Sequence, residues 1–197
     1  MEKHVLGLEL PTDPRWVDIA GMNIREILID HAYCEQKAAS SVISMIIQFH
    51  DFPGLVEKLS PVVAEEWSHF EMVLKKLGER GWTLGNPRRD EYVERISGIT
   101  AKGQSRSRPL VERLLLNALI EARSCERFRL LWKEIGDEDL RSFYYELMVS
   151  EAGHYRNFIT LAKQFEDPEY VQHRWKEWLA AEAEIVRTLE VRPDRMH

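Results

Sequence analysis

The chain has 197 residues, enough for one well-cored domain and short for two. It is 44% hydrophobic and 30% charged, which excludes a disordered polymer. With 27 Lys and Arg against 33 Asp and Glu, the formal net charge is −6, so the protein as a whole lacks a basic signature of nucleic-acid binding and any such contact must be a local patch. Asp13-Pro14 opens a short helix to about residue 20, with Asp13 as the cap and proline in the first turn. A long helix is expected from about residue 23 to 51, with Leu28, Glu35, Val42, Met45 and Phe49 on its inner stripe. Pro53-Gly54 marks a turn into a helix over about 53–80, with a kink or break at Ser60-Pro61 and an end at Gly81.

Residues 82–108 change character. Gly85, Pro87, Gly98 and Gly103 punctuate them, and only 90–97 has the pattern of a short helix. The stretch reads as a long connection between two helical pairs with its basic side chains exposed. A second long helix is expected over 109–135, another over 138–165 after Gly136-Asp137, and a last one from Asp167-Pro168 to about 189. There is no alternating segment of strand length, so the fold class is all-α. The longest apolar run, Val42–Ile47 broken by Ser44, is too short to cross a bilayer, and the start of the chain has no signal-peptide pattern. Cys34 and Cys125 form no C-x-x-C pair or disulfide framework. A cytoplasmic protein without a membrane segment is the expectation.

Two stretches carry the chemistry, Glu66-Trp67-Ser68-His69 and Glu151-Ala152-Gly153-His154. Each puts a carboxylate and an imidazole three residues apart on one helical face, and that face is the apolar one. Leu59, Val62, Val73 and Leu77 flank the first pair; Tyr144, Leu147, Phe158 and Leu161 flank the second. A carboxylate on a buried stripe needs a partner, and a metal ion satisfies it together with a neutral imidazole. A ferritin-like two-metal bundle also takes one Glu from each of two other helices. Glu35 precedes Glu66 by 31 residues, and Glu121 precedes Glu151 by 30. Glu126 is the rival for the last position, but Glu121 is in register with Leu114 and Phe128, whereas Glu126 has Arg123, Arg129 and Lys133 around it and reads as solvated. Glu65 is a rival for Glu66 whose phase points off the stripe. His31 and Asn117 each lie one turn before a ligand Glu and are read either as groups orienting it or as core residues.

The expected architecture is therefore a ferritin-like four-helix bundle with additional short N-terminal and long C-terminal helices, residues 1–197 forming a single domain. Four carboxylates and two imidazoles form a hard, oxygen-rich set that suits iron or manganese better than zinc or calcium. Two irons would draw on dioxygen as co-substrate. The sequence has no rubredoxin-like C-x-x-C centre, so electrons are expected from an external reductase. Within 86–108, six basic residues, among them Arg88, Arg89, Lys102, Arg106 and Arg108, stand against three acids, a net +3 within an acidic chain. Flexible Arg, Lys, Ser and Gln donors of this kind suit a phosphate backbone.

Three stretches together resemble the bacterial tRNA 2-methylthio-isopentenyladenosine hydroxylases (MiaE-type): residues 31–39, HAYCEQKAA; residues 65–70, EEWSHF; and residues 150–155, SEAGHY. The resemblance spans nearly the whole chain. It implies a non-haem di-iron monooxygenase with Glu35, Glu66, His69, Glu121, Glu151 and His154 as ligands. It also implies tRNA as partner, through an anticodon stem-loop whose modified adenosine carries the isopentenyl group to be hydroxylated. The other readings are a ferritin-like di-iron oxidase acting on a small molecule and an iron-storage or detoxification protein.

Overall fold

The computed structural model describes residues 5–101 and 105–196. Among the described residues a short 3-10 turn, Val5–Gly7, precedes seven α-helices: α1 Arg15–Met22, α2 Ile24–Phe49, α3 Leu55–Glu79, α4 Glu91–Ser97, α5 Ser107–Glu134, α6 Glu138–Phe165 and α7 Pro168–Thr188. No strand occurs among the described residues, and no helix there is long and apolar enough to cross a membrane.

The ends of these helices follow from local chemistry. Asp90, Asp137 and Asp167 cap α4, α6 and α7, each side chain accepting from the backbone N–H three residues on, at 3.0, 3.1 and 3.0 Å. Helix α3 closes on Gly81 at φ +70°, a left-handed position that favours glycine. Trp82 N then donates to the Leu77 carbonyl at 2.9 Å and Gly81 N to Gly78 at 3.0 Å, the paired bonds of a Schellman ending. Of the kink or break expected at Pro61, the break does not occur: α3 runs through the proline as one helix. Proline removes the bond to the Glu57 carbonyl there, while the buried Leu59 and Val62 on either side hold the helical path.

By contacts the chain forms two compact units. The smaller comprises Met22–Arg89 closed by Arg192–Met196; the larger takes the chain up to Gly21 and again Asp90–Val191. In the smaller, α2 and α3 pack along each other, burying Leu28, Val42, Met45 and Phe49 against Leu55, Leu59, Val73 and Leu77. Each such side chain contributes about 1.5–3 kcal/mol of hydrophobic stabilisation. The C-terminal strap belongs to this unit: Met196 is buried and its N–H donates to Asp30 Oδ2 at 2.8 Å.

In the larger unit α5 and α6 form the second hairpin, with α4 and α7 packed beside it. Helix α5 is buried on every side from Glu121 to Phe128, so it has no solvent face there. That corrects the solvated reading of Glu126. Its carboxylate accepts from Thr12 N at 2.9 Å and Thr12 Oγ1 at 2.6 Å and pairs with the fully buried Arg123. The connection is also less exposed than its composition predicts. Tyr92 and Ile96 of α4 are buried, Arg95 Nη2 donates to Thr188 Oγ1 at 2.6 Å, and Arg88 pairs with Glu26.

Candidate metal centre

In the smaller unit, Glu35 of α2 and Glu66 and His69 of α3 are buried, as their places on the apolar stripes require. Each offers a ligand atom, and the three atoms lie within 4.8 Å of one another. His69 Nδ1 is 3.7 Å from Glu35 Oε2 and 3.8 Å from Glu66 Oε2. Two donors bonded to one ion at about 2.1 Å are separated by about 3.0–4.2 Å, depending on the angle between them. Both distances therefore suit a shared ion better than a hydrogen bond. Glu65 is exposed, so the phase argument that set it aside holds. His31, fully buried, lies with Nε2 2.6 Å from Glu35 Oε1.

The larger unit repeats the pattern. Glu121 of α5 and Glu151 and His154 of α6 are buried and offer three ligand atoms within 4.8 Å of one another. His154 Nδ1 is 3.1 Å from Glu151 Oε2. Asn117, one turn before Glu121, is buried, and its amide donates to the Arg113 carbonyl at 2.7 Å. Cys125 is buried and donates to the Met148 carbonyl at 3.4 Å; burial first, then the field of Glu151, pushes its thiol up to about 12, so it stays protonated. Cys34 is only half-buried.

Each unit thus presents two carboxylates and one imidazole, without a thiolate, in a water-poor interior. Carboxylate charge buried at this depth is costly unless a cation accompanies it. The donor chemistry fits iron: hard oxygens supply most of the ligation, and a histidine supplies one nitrogen in each set.

The five basic residues singled out from the connection separate into groups. Arg88 is half-buried, its guanidinium bonded to the Glu26 carboxylate, the Glu26 carbonyl at 3.3 Å and the Asp194 carbonyl at 3.1 Å. Arg89, Arg106 and Arg108 are exposed, and Arg108 lies over the Tyr170 ring at 4.6 Å from its centroid. Lys102 lies outside the described residues.

Sequence reasoning missed a buried polar network in the larger unit, Arg123 with Thr12, Tyr92, Glu126 and Glu182. Glu182 carried a usable signal. It falls four residues after Trp178 and three after Leu179, on the same stripe of α7, just as Glu35, Glu66, Glu121 and Glu151 fall on theirs.

The family model for tRNA-(MS[2]IO[6]A)-hydroxylase (MiaE) matches residues 1–197. A tRNA 2-(methylsulfanyl)-N(6)-isopentenyladenosine(37) hydroxylase from Pseudomonas putida is 34% identical over 181 residues, covering 92% of this chain and 87% of the relative. A protein of the same name from Salmonella typhimurium is 27% identical, covering 95% and 85%. Among solved structures, a protein with aldehyde deformylating oxygenase activity from Synechococcus superposes with a TM-score of 0.90 at 36% identity, covering 96% of this chain and 94% of its own. The helical class and the ferritin-like likeness agree with the expectation drawn from the ligand spacing. With the family pattern matched from the first residue to the last, this chain belongs to the MiaE family of tRNA hydroxylases and is an oxidoreductase.

Proposed function

We propose that Glu35, Glu66, His69, Glu121, Glu151 and His154 together hold two iron ions, the 197 residues acting as one domain. The reaction is hydroxylation of the isopentenyl group of 2-methylthio-isopentenyladenosine next to the anticodon of tRNA. The observation that carries this reading is the pair of buried Glu/Glu/His triads in a chain whose whole length matches the hydroxylase family. Bound there, iron would supply the reduction of dioxygen. Overall, one oxygen atom enters a C–H bond and the other leaves as water, with two electrons and two protons delivered by an external reductase.

The chain's own residues do the rest. The carboxylates and imidazoles are held on two helical hairpins, so the ligand positions are set before any ion arrives. Burial keeps bulk water away from the reacting C–H bond. The target adenosine must leave the anticodon-loop stack, which costs little in a single-stranded loop. Exposed Arg89, Arg106 and Arg108, with Lys102, are the candidates for gripping the flanking phosphates; Arg88, bonded to Glu26, is not.

A second reading rests on the Synechococcus neighbour, which has aldehyde deformylating oxygenase activity. Nucleoside mass spectrometry of tRNA treated with the purified protein, ferrous ion, dioxygen and reductant separates the two. A gain of one oxygen on the isopentenylated adenosine supports the tRNA reaction. Unchanged tRNA, with an aldehyde consumed under the same conditions, supports the other.

A further inference from the structure

The two hairpins repeat one ligand pattern but support it differently. His31 stands one helical turn before Glu35, and its Nε2 is 2.6 Å from Glu35 Oε1. An ionised carboxylate only accepts, so with Glu35 charged, as a ligand must be, His31 donates to Oε1 from Nε2. The other oxygen, Oε2, is the one that faces His69 Nδ1 at 3.7 Å. In the second hairpin the equivalent position, one turn before Glu121, is Asn117. Its amide points back along its own helix, donating to the Arg113 carbonyl at 2.7 Å.

We propose that His31 is a positioning residue that fixes Glu35 as a one-oxygen ligand and so makes the two metal positions inequivalent. The position served by Glu35 and His69 is the tighter of the two. This rests on the di-iron reading above. A carboxylate changes between one-oxygen, two-oxygen and bridging ligation by rotating its plane. Rotation of Glu35 breaks a short, charge-assisted bond to an imidazole that is itself clamped in the core, with no solvent exposure. Asn117 differs in kind: its donor is turned to the backbone of its own helix. The adjustable ligation needed while metal charge changes during turnover therefore falls to the other carboxylates.

The test is calorimetric titration of the metal-free protein with ferrous ion under anaerobic conditions, with Mössbauer spectra of the iron-57-loaded protein. The wild-type chain is expected to take up two ions in unequal steps and to show two distinct quadrupole doublets. His31→Asn, which copies the second hairpin, should weaken the tighter step by about 10- to 100-fold and change one doublet only. His31→Gln, whose longer amide can donate to the same oxygen, should recover much of the loss. Equal steps with a single doublet in the wild-type chain overturn the inference without any variant. So does a folded His31→Asn protein with both steps unchanged. A wild-type chain that takes up no ion brings down the di-iron reading and this inference with it.

Discussion

Glu182 of α7 and Arg123 of α5 face each other in the interior of the larger unit, both fully buried. Glu182 Oε1 accepts from Arg123 Nε at 2.9 Å and from Nη2 at 2.7 Å. The same guanidinium reaches Thr12 Oγ1 at 3.2 Å, the Leu10 carbonyl at 2.9 Å and the Glu126 carboxylate. One side chain thereby ties the segment before α1 to α5 and α7. Burial penalises its charge, but Tyr92, Glu126 and Glu182 hold it above the ordinary arginine range. Arg123→Met leaves two buried carboxylates without their cation, a loss of about 3–5 kcal/mol. Urea unfolding should show it. Adding Glu182→Leu should restore part of the stability, because Glu126 keeps its two bonds from Thr12. A midpoint for Arg123→Met equal to that of the wild type would mean the network contributes nothing net.

Titration of Glu182 should be visible in the stability of the metal-free protein. Burial raises its carboxyl above the ordinary value of 4.5, with Arg123 and Tyr92 pulling the other way. Folded, the group keeps its proton to a higher pH than it does in the unfolded chain. The folded state therefore binds more protons between those two values, and stability falls as pH rises through that window. Glu182→Gln cannot titrate and lacks this contribution. The gap in unfolding free energy between wild type and variant should thus shift against the wild type as pH rises from about 4 towards neutrality. Urea midpoints measured at several pH values give that gap; two parallel curves would contradict the assignment.

The helices and the buried Glu/Glu/His triads were legible in the sequence for the same reason: both rest on a period of 3.6 residues. A glutamate on the apolar stripe has to be buried, so its phase betrays it, and Glu35, Glu66, Glu121 and Glu151 are all buried as their phase requires. On α5 around Glu126 the basic neighbours Arg123, Arg129 and Lys133 mimic the mark of a solvent face. That mark holds only for a helix with a solvent face, and this one is enclosed from Glu121 to Phe128. Arg123 is a buried partner there. The C-terminal strap was illegible for another reason. It is fastened largely through main-chain atoms, Met196 N to Asp30 and the Asp194 carbonyl to Arg88, which leave no side-chain pattern to read.

Glu66 gives a prediction of opposite signs with and without metal. It is buried, with a ligand atom within 4.8 Å of one from Glu35, so the metal-free protein has to bury two carboxyl groups side by side. Glu66→Gln removes one of them and should stabilise the metal-free chain by about 1–3 kcal/mol. The same change should remove most of the stabilisation that bound metal confers, about 2.7 kcal/mol when the free ion is at 100 times its dissociation constant. Anaerobic thermal unfolding with and without ferrous ion reads both quantities. A variant that melts lower than wild type without metal, and gains as much as wild type with it, would remove Glu66 from the ligand set.

The exposed and the half-buried arginines of the connection should part company in tRNA binding. Arg106 and Arg108 are exposed at the start of α5, and replacing both by Ala should weaken binding and lower its dependence on salt. Each single-stranded phosphate contact contributes a slope of about 0.7 in log K against log salt, so losing two lowers it by about 1.4. Arg88→Ala is the contrast. Its guanidinium is bonded to Glu26 and to the Asp194 carbonyl, so its loss should cost folding stability by about 1–3 kcal/mol and leave the salt slope as it was. Arg108 also lies over the Tyr170 ring, a contact worth about 0.5–1 kcal/mol at an exposed site. Tyr170→Leu should free that guanidinium and change affinity far less than Arg108→Ala does. Filter binding over a range of salt concentrations distinguishes these outcomes. A double Arg106/Arg108 variant with the wild-type slope would place the phosphate contacts elsewhere on the surface.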